Sequence, residues 1–143
     1  MRLDNYINLA NRKYRLMAEI SRLEMLRSSY SPSILNSGIG SIHGSGTSAP
    51  TENEAINRLM FFENINREIE DKTAELYDVT EELLSMDKYI QSIEDEQIRE
   101  WTRLRYTQGE SWANIAVKWF YAPTSWIVIK KKVTDYINQH EFI

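Results

Sequence analysis

The chain has 143 residues, of which 42% are hydrophobic and 27% are charged. These proportions suit one globular domain, or a small domain joined to a helical hairpin. The chain has no cysteine and only two histidines, which excludes disulfides, thiolate zinc sites and cysteine nucleophiles. Its longest apolar runs have four residues, whereas a membrane span needs about 20. We therefore expect a cytoplasmic protein with no membrane segment and no signal peptide.

Charge divides the chain into three segments. The net charge of −4 combines +3 over residues 1–30, −8 over residues 51–94 and +1 over residues 95–143. The acidic middle segment is not expected to lie along a phosphate backbone. Any binding to nucleic acid is therefore expected from the two ends of the chain.

Residues 1–94 predict a long antiparallel helical hairpin. A first helix is expected from about Leu3 to Leu26. Its one broad apolar face combines the stripe Tyr6, Leu9, Leu16, Ile20 and Leu23 with the neighbouring ridge Ile7, Ala10, Tyr14 and Met17. Ser28–Pro50 is rich in serine and glycine and predicts a flexible loop. Thr51 is the expected N-cap of the second helix.

A heptad repeat follows Thr51 and predicts a partly coiled-coil hairpin, which either is a structural coiled coil within one chain or also serves for oligomerisation, as a homodimer. Its a positions are Ala55, Phe62, Ile69, Leu76, Leu83 and Ile90, and its d positions are Arg58, Ile65, Lys72, Val79, Met86 and Ile93. The polar residues Arg58 and Lys72 either set the register and the choice of partner or extend to the surface.

Residues 95–143 predict a small domain of three short helices, since all four tryptophans lie here. The expected helices run from Asp95 to Thr107, from Trp112 to Trp119 and from Thr124 or Ser125 to about Asn138, with Gly109 ending the first and Ser111 capping the second. Their expected inward side chains are Ile98, Trp101, Leu104, Trp112, Ile115, Ala116, Trp126, Ile129, Val133 and Ile137. The fold class is therefore all-α, with a helix-turn-helix layout after the hairpin.

The segment Tyr106–Trp119 resembles sigma-factor region-four-like domains, which share its tyrosine, glycine, Ser-Trp and Ile-Ala pattern. With the preceding hairpin, the chain resembles phage transcriptional regulators of the ArpU and RinA type. The resemblance implies a protein encoded by a phage or prophage in a bacterial host, with a role in transcription of late phage genes. Such domains usually carry a glycine where this chain has Phe120, so we expect a different turn or a longer second helix.

The third helix is the expected recognition helix. Its predicted contacts with double-stranded DNA are Thr124, Ser125, Val128, Lys130, Lys131 and Lys132. The lysines suit phosphates, whereas Ile127 and Val128 can touch only thymine methyl groups and Asp135 opposes phosphate. The predicted protein-contact residues are Trp119, Phe120, Tyr121 and Ile127, because an exposed aromatic cluster marks a contact surface.

Several patterns imitate catalytic or metal sites. Gly40–Gly46 matches a dinucleotide-binding spacing but lacks the flanking strand and helix, and His43 lies in the predicted loop. Acidic pairs such as Glu81-Glu82 lack the histidines of a di-iron bundle. We predict no enzyme activity and no cofactor.

Together, these features predict a DNA-binding transcriptional regulator whose hairpin oligomerises or contacts RNA polymerase. One alternative is a phage interaction or inhibitor protein that uses the helix-turn-helix to bind a protein partner. A second alternative is a small terminase-like packaging subunit that binds DNA as a ring, although such proteins usually place the DNA-binding unit first.

Overall fold

The computed structural model describes the backbone of residues 2–40 and 52–140, and the side chains of residues 3–29 and 52–140. All regular elements in these residues are helices, so the predicted all-α class is confirmed. They are α1 (Tyr6–Gly40), α2 (Glu52–Gln91), α3 (Glu96–Thr102, continued by a π-helical turn over Arg103–Thr107), α4 (Trp112–Lys118) and α5 (Trp126–Gln139), with short 3-10 helices before α1 (Arg2–Asn5) and before α5 (Pro123–Ser125). None of the helices that the structure describes is long and apolar enough to cross a membrane.

The first helix is longer than expected. Instead of ending near Leu26, α1 continues to Gly40, so the predicted loop is wrong for residues 28–40. Residues 27–37 contain no glycine, so the low helical propensity of that residue does not act against the helix over this stretch. The remainder of the predicted loop, with His43, and the predicted N-cap Thr51 lie outside the described residues.

Residues 1–143 form two compact units, which we call the core unit (Met1–Arg12 with Val79–Ile143) and the hairpin unit (Lys13–Asp78). This grouping differs from the predicted division at residue 94. Leu3, Met86 and Ile90 belong to the same apolar cluster as the C-terminal helices. The core unit therefore includes the start of α1 and the end of α2 as well as the C-terminal helices.

In the hairpin unit the two helices pair in antiparallel fashion. Lys72 Nζ lies 2.8 Å from Glu19 Oε2, and Arg27 Nη1 donates to Asn66 Oδ1 at 3.0 Å. Among the described residues of this unit, the buried apolar side chains are Leu16, Leu23 and Ile65. Lys72 therefore occupies its heptad position by extending to an ion pair at the edge of the contact.

Burial follows the predicted heptad along the whole of α2. At the a and d positions, Ala55 is the exposed member, and the other positions are half-buried or buried. The apolar ridge predicted for α1 over Ile7, Ala10, Tyr14 and Met17 is not buried in the same way, since Tyr14 and Met17 are exposed. The predicted broad apolar face of α1 is therefore buried only in part, because α2 covers only the stripe that contains Leu16 and Leu23.

In the core unit, α3, α4 and α5 enclose an apolar centre. Its buried members are Leu3, Met86, Ile90, Trp101, Tyr106, Trp112, Ile115, Ala116, Ile129, Val133 and Ile137. Tyr6 Oη also donates to Asp87 Oδ1 at 2.8 Å, which ties the start of α1 to the end of α2. The prediction that Trp126 points inward is wrong, since Trp126 is 38% exposed at the first turn of α5.

Candidate nucleic-acid interface

The helix starts in the core unit are set by side-chain caps. Asp95 accepts from Ile98 N at 3.1 Å at the start of α3, and Ser111 accepts from Asn114 N at 3.1 Å at the start of α4. Such caps satisfy backbone donors that the first helical turn leaves unpaired. The predicted cap role of Ser111 is confirmed.

Gly109 separates α3 from α4 for two reasons. Its φ of 71° lies in the left-handed region, which glycine adopts without steric cost. A Cβ at this position would also meet Ile7 Cδ1 at 3.0 Å. The predicted helix end at Gly109 is therefore correct, and the close contact adds a packing reason that sequence did not show.

The aromatic side chains of this region form the core rather than a surface for bases. Trp101 packs edge-to-face on Trp119 at a centroid distance of 5.8 Å, and Tyr106 packs in the same way on Trp112 at 6.5 Å. Arg105 lies over the Trp112 ring, 5.2 Å from its centroid. Trp119 is thus half-buried, so it is less exposed than the aromatic contact cluster predicted from the sequence supposes, and its role as a protein contact stays a prediction.

The turn between α4 and α5 is built around Phe120. Tyr121 N donates to Ala116 O at 2.9 Å, and Phe120 N donates to Val117 O at 3.0 Å. This pair of bonds is the Schellman arrangement, in which the residue after the helix cap adopts the left-handed conformation and is usually glycine. Phe120 adopts it here with a φ of 62°. The expectation of a different turn or a longer second helix is therefore wrong.

Phe120 is also the most exposed large side chain of the core unit, at 98%. Tyr121, Ile127 and Val128 nearby in sequence are exposed as well. A non-glycine residue in the left-handed region costs roughly 1–2 kcal/mol, and this phenyl ring gains no burial to offset that cost. Three of the predicted protein-contact residues, Phe120, Tyr121 and Ile127, are therefore available to solvent.

The start of α5 differs in detail from its prediction. A 3-10 turn over Pro123–Ser125 precedes Trp126, and the Ser125 side chain makes no capping hydrogen bond. The reason is that the Ser125 backbone is already helical, with φ −70° and ψ −5°, whereas a cap residue needs an extended conformation. Ser125 is therefore a candidate for contact outside the protein.

The exposed side of α5 lies opposite its buried stripe of Ile129, Val133 and Ile137. At about 100° per residue, Val128, Lys131 and Asp135 point away from that stripe. Each of these three side chains is exposed, and so is Thr124, just before the helix. The outward face therefore offers a hydroxyl, an isopropyl group, an ammonium and a carboxylate.

The lysine triplet does not form one patch, because successive residues diverge around a helix. Lys130 Nζ lies over the Trp126 ring at 6.0 Å. Lys131 lies on the outward face, and Lys132 borders a surface cavity on the other side of α5. The three ammonium groups thus flank the helix on both sides, which suits contact with phosphates on either side of a groove.

The cavity beside Lys132 has a volume of about 150 Å³. Its lining residues are Trp101, Tyr121, Ser125, Val128, Ile129 and Lys132. Lys132, Ser125 and Tyr121 bring hydrogen-bond donors to one place. Trp101, which also lines the cavity, carries a buried Nε1 with no hydrogen-bond partner among the described protein atoms. Sequence reasoning assigned Trp101 to the core and missed this cavity.

Ion pairs offset two of the other positive charges. Arg103 donates through both Nε and Nη2 to the Glu100 carboxylate, and these hydrogen bonds lower the pKa of Glu100. Lys118 Nζ lies 2.6 Å from Glu110 Oε1, and that hydrogen bond lowers the pKa of Glu110. Positive potential near the turn is therefore expected mainly from the lysines of α5, reduced by Asp135.

No group of three or more metal-ligating side chains that could hold a metal ion occurs in residues 2–40 and 52–140. The glycine pattern at Gly40–Gly46 lies almost wholly outside the described part of the chain, and only the backbone of Gly40, the last residue of α1, is described.

Comparisons with protein-family models, curated proteins and solved structures find no match to this chain. The resemblance to sigma-like phage regulators therefore remains a prediction from the residues of the Tyr106–Trp119 segment.

Proposed function

We propose that this protein is a double-stranded DNA-binding regulator of transcription that docks α5 in the major groove. The observation that carries the proposal is the outward face of α5. Thr124, Val128 and Lys131 are exposed there, on a helix fixed from behind by buried Ile129 and Val133. A helix held by its own core and joined to its neighbour by a short turn is the arrangement that helix-turn-helix proteins use.

The proposed contacts divide by chemistry. Lys131 and Lys132 neutralise phosphates, and Lys130 reaches a phosphate on the flank of the helix. Thr124 and Ser125 supply hydroxyls for base edges or phosphate oxygens, and Val128 touches a thymine methyl group. With so few bidentate donors on this face, most of the affinity is expected to be electrostatic and therefore dependent on salt.

The hairpin unit is proposed to join two copies or to contact RNA polymerase. Two copies would present two α5 helices to DNA. Dimeric helix-turn-helix proteins bind half-sites about one helical turn apart, so a dimer would require an operator with two related half-sites. The phage or prophage origin belongs to the same proposal and rests on the sequence resemblance.

Fluorescence anisotropy with a random-sequence duplex tests the DNA proposal. The variant Lys131→Glu is compared with Lys88→Glu, which makes the same charge change at an exposed position of α2. We expect Lys131→Glu to weaken binding by roughly 10-fold or more at low salt and to reduce the salt slope by about 1, while Lys88→Glu behaves as the wild type. Equal losses in both variants, or no binding by the wild type at low salt, would reject the proposal.

A protein-binding function is the second candidate, and the conformation of Phe120 favours it. Backbone strain of this kind persists where the surrounding structure imposes it and is often found at functional sites, and the phenyl ring is fully presented to solvent. In this case Phe120→Ala removes partner binding and Lys131→Glu leaves it intact. The packaging alternative predicts an assembly of much larger mass in solution than a monomer or dimer, since it requires a ring of many subunits.

A further inference from the structure

The cavity beside Lys132 combines polar groups with an apolar wall. Its polar groups come from Lys132, Ser125 and Tyr121. Its apolar wall is formed by Trp101, Val128 and Ile129. Ligand sites in proteins have this character, since a mostly apolar lining supplies contact and a few polar groups fix the orientation of the ligand. At about 150 Å³, the cavity suits a small molecule.

The polar side of the cavity favours an anion. Lys132 is the one charged residue among the described lining residues, and an ammonium group offers three donors and no acceptor. Lys132 makes no ion pair with a described side chain, whereas Lys118 and Arg103 are each paired with a glutamate. The Ser125 hydroxyl makes no capping hydrogen bond. An oxyanion accepts hydrogen bonds from such groups, and bonds assisted by charge are the stronger ones.

The apolar wall indicates that the anion carries a carbon skeleton. Ile129 and Trp101 are buried, at 3% and 2% exposure, so this part of the wall belongs to the fixed core, and Val128 forms its exposed edge. A bare inorganic ion leaves the wall without apolar contact. An apolar cavity of about this volume holds a molecule of the size of benzene. A small organic acid with one ring or a short chain therefore matches both sides of the cavity.

The indole of Trp101 gives a further reason to expect an acceptor in this part of the core. Its Nε1 is buried and has no hydrogen-bond partner among the described protein atoms. Buried donors in folded proteins are nearly always paired, if not with protein then with water or a bound ion. Because Trp101 lines the cavity, an acceptor held there lies beside this indole. The indole N–H is therefore a spectroscopic reporter for the cavity.

We propose that this cavity binds a small organic acid in its carboxylate form. The carboxylate accepts hydrogen bonds from Lys132, Ser125 and Tyr121, and the carbon skeleton packs on the apolar wall. This ligand site does not depend on the proposed binding of DNA.

The site also links the acid to DNA, and this link rests on the proposed function. Ser125, Val128 and Lys132 line the cavity and are also among the proposed DNA contacts. A bound carboxylate neutralises Lys132 and occupies the Ser125 hydroxyl, so the acid and DNA compete. By linkage, the acid weakens DNA binding by the same factor by which DNA weakens binding of the acid. A small organic acid therefore releases the protein from DNA.

Nuclear magnetic resonance titration of the full chain with benzoate tests the ligand site. We expect saturable shifts of the Trp101 indole N–H and of the Ser125 and Lys132 amides. Benzyl alcohol has the ring without the charge, and inorganic phosphate has the charge without the ring. Both are expected to bind about 10-fold more weakly or less.

Three outcomes of this titration would overturn the proposal. The first is the absence of saturable shifts with benzoate. The second is equal binding of benzyl alcohol, because the charge then plays no part. The third is tighter binding of inorganic phosphate than of benzoate, because the cavity is then a seat for a phosphate group, such as one from the DNA backbone.

Two matched pairs of variants locate the bound benzoate. Lys132→Met is expected to weaken benzoate binding about 10-fold or more, because it removes a charge-assisted hydrogen bond. Lys131→Met makes the same change on the outward face and is expected to bind as the wild type does. Val128→Phe fills the edge of the cavity and is expected to abolish binding, whereas Ile127→Phe alters an exposed neighbour that does not line it.

Circular dichroism confirms that the four variants are helical. Equal benzoate affinity in the two lysine variants, or unchanged affinity in Val128→Phe, would overturn the proposal, because benzoate then binds elsewhere.

Fluorescence anisotropy with a random-sequence duplex tests the link to DNA. At a benzoate concentration of ten times its dissociation constant, the apparent affinity for DNA is expected to fall about 10-fold. The same concentration of sodium chloride is the control for ionic strength. Benzoate binding with unchanged DNA affinity rejects only the link. Benzoate binding by a protein that does not bind DNA at low salt rejects the regulator proposal and the link, and supports the ligand site. DNA binding without benzoate binding rejects only the ligand site.

Discussion

The core unit and the hairpin unit use similar helices but differ in how much apolar surface they bury. In the core unit, tryptophans, tyrosine and aliphatic side chains from five helices converge on one centre. In the hairpin unit, two helices meet along one seam, and Tyr14, Met17 and Met25 remain exposed. Because burial of apolar surface is the main driving force of folding, the comparison indicates that the core unit draws more of its stability from apolar burial than the described part of the hairpin unit does.

The largest predicted effect separates a core tryptophan from a surface tryptophan. Trp101→Ala removes a 2% exposed side chain and is expected to lower the free energy of unfolding by about 3–5 kcal/mol. Trp126→Ala removes a 38% exposed side chain at the start of α5 and is expected to cost considerably less. Urea unfolding followed by circular dichroism measures both. Equal losses would show that the two tryptophans do not differ as their burial indicates.

A second prediction concerns the strain that the core unit tolerates at its turn. Phe120→Gly relieves the left-handed conformation and is expected to stabilise the protein by about 1 kcal/mol. Phe120→Ala is the control, since alanine keeps the unfavourable φ and should give no comparable gain. Both substitutions remove the exposed ring. The difference in unfolding midpoint between the two variants therefore measures the free-energy cost of the left-handed backbone conformation. A glycine variant no more stable than the alanine variant would contradict the strained conformation.

A third prediction uses concentration to distinguish the two units. If the hairpin unit joins two copies, as proposed, and the dimer predominates, the monomer fraction falls with the inverse square root of protein concentration. Amides near Leu16 and Leu23 should then exchange about threefold more slowly for each tenfold rise in concentration. Amides near Ile115 and Val133 in the core unit should not change. Hydrogen exchange followed by mass spectrometry measures the amide exchange rates of both regions. The same concentration dependence in both regions would contradict the prediction.

The smallest predicted effect concerns the ion pair between Lys118 and Glu110. The hydrogen bond from Lys118 lowers the pKa of Glu110 in the folded protein. The pair therefore contributes stability above the ordinary pKa of a glutamate, and this contribution is lost as the pH falls through the lowered value. Lys118→Met should move the pKa of Glu110 back toward its ordinary value. Nuclear magnetic resonance titration of the side-chain carboxyl measures the shift, and an unchanged pKa would contradict the pairing.

Much of the fold followed from local patterns. The heptad positions of α2, the cap at Ser111 and the helix end at Gly109 could be predicted because each depends on residues close in sequence. The helical conformation of residues 28–40 could not, because the serine-rich composition of this stretch favours a loop. The grouping of Leu3 with the C-terminal core could not be predicted either, since it depends on contacts between distant segments.

The candidate interface shows the same division. The exposed lysines of α5 could be predicted from helical periodicity around Ile129, Val133 and Ile137. The burial of Trp119 against Trp101, the exposure of Trp126 and the cavity beside Lys132 depend on how α3 packs on the last two helices. Sequence favoured glycine for the turn, whereas the packed helices hold Phe120 in the conformation that glycine would adopt.

The sequence by itself determined the all-α class, the starts of α3 and α4 and the buried heptad positions of α2, because these follow from side-chain periodicity and local hydrogen bonding. The tertiary structure decided which apolar stripes are covered. Periodicity shows that Leu16 and Tyr14 both lie on apolar ridges of α1, but only packing against α2 determines that Leu16 is buried and Tyr14 is exposed. The physical reason is that a helix has a limited contact width, so one partner helix covers one stripe and leaves the next available.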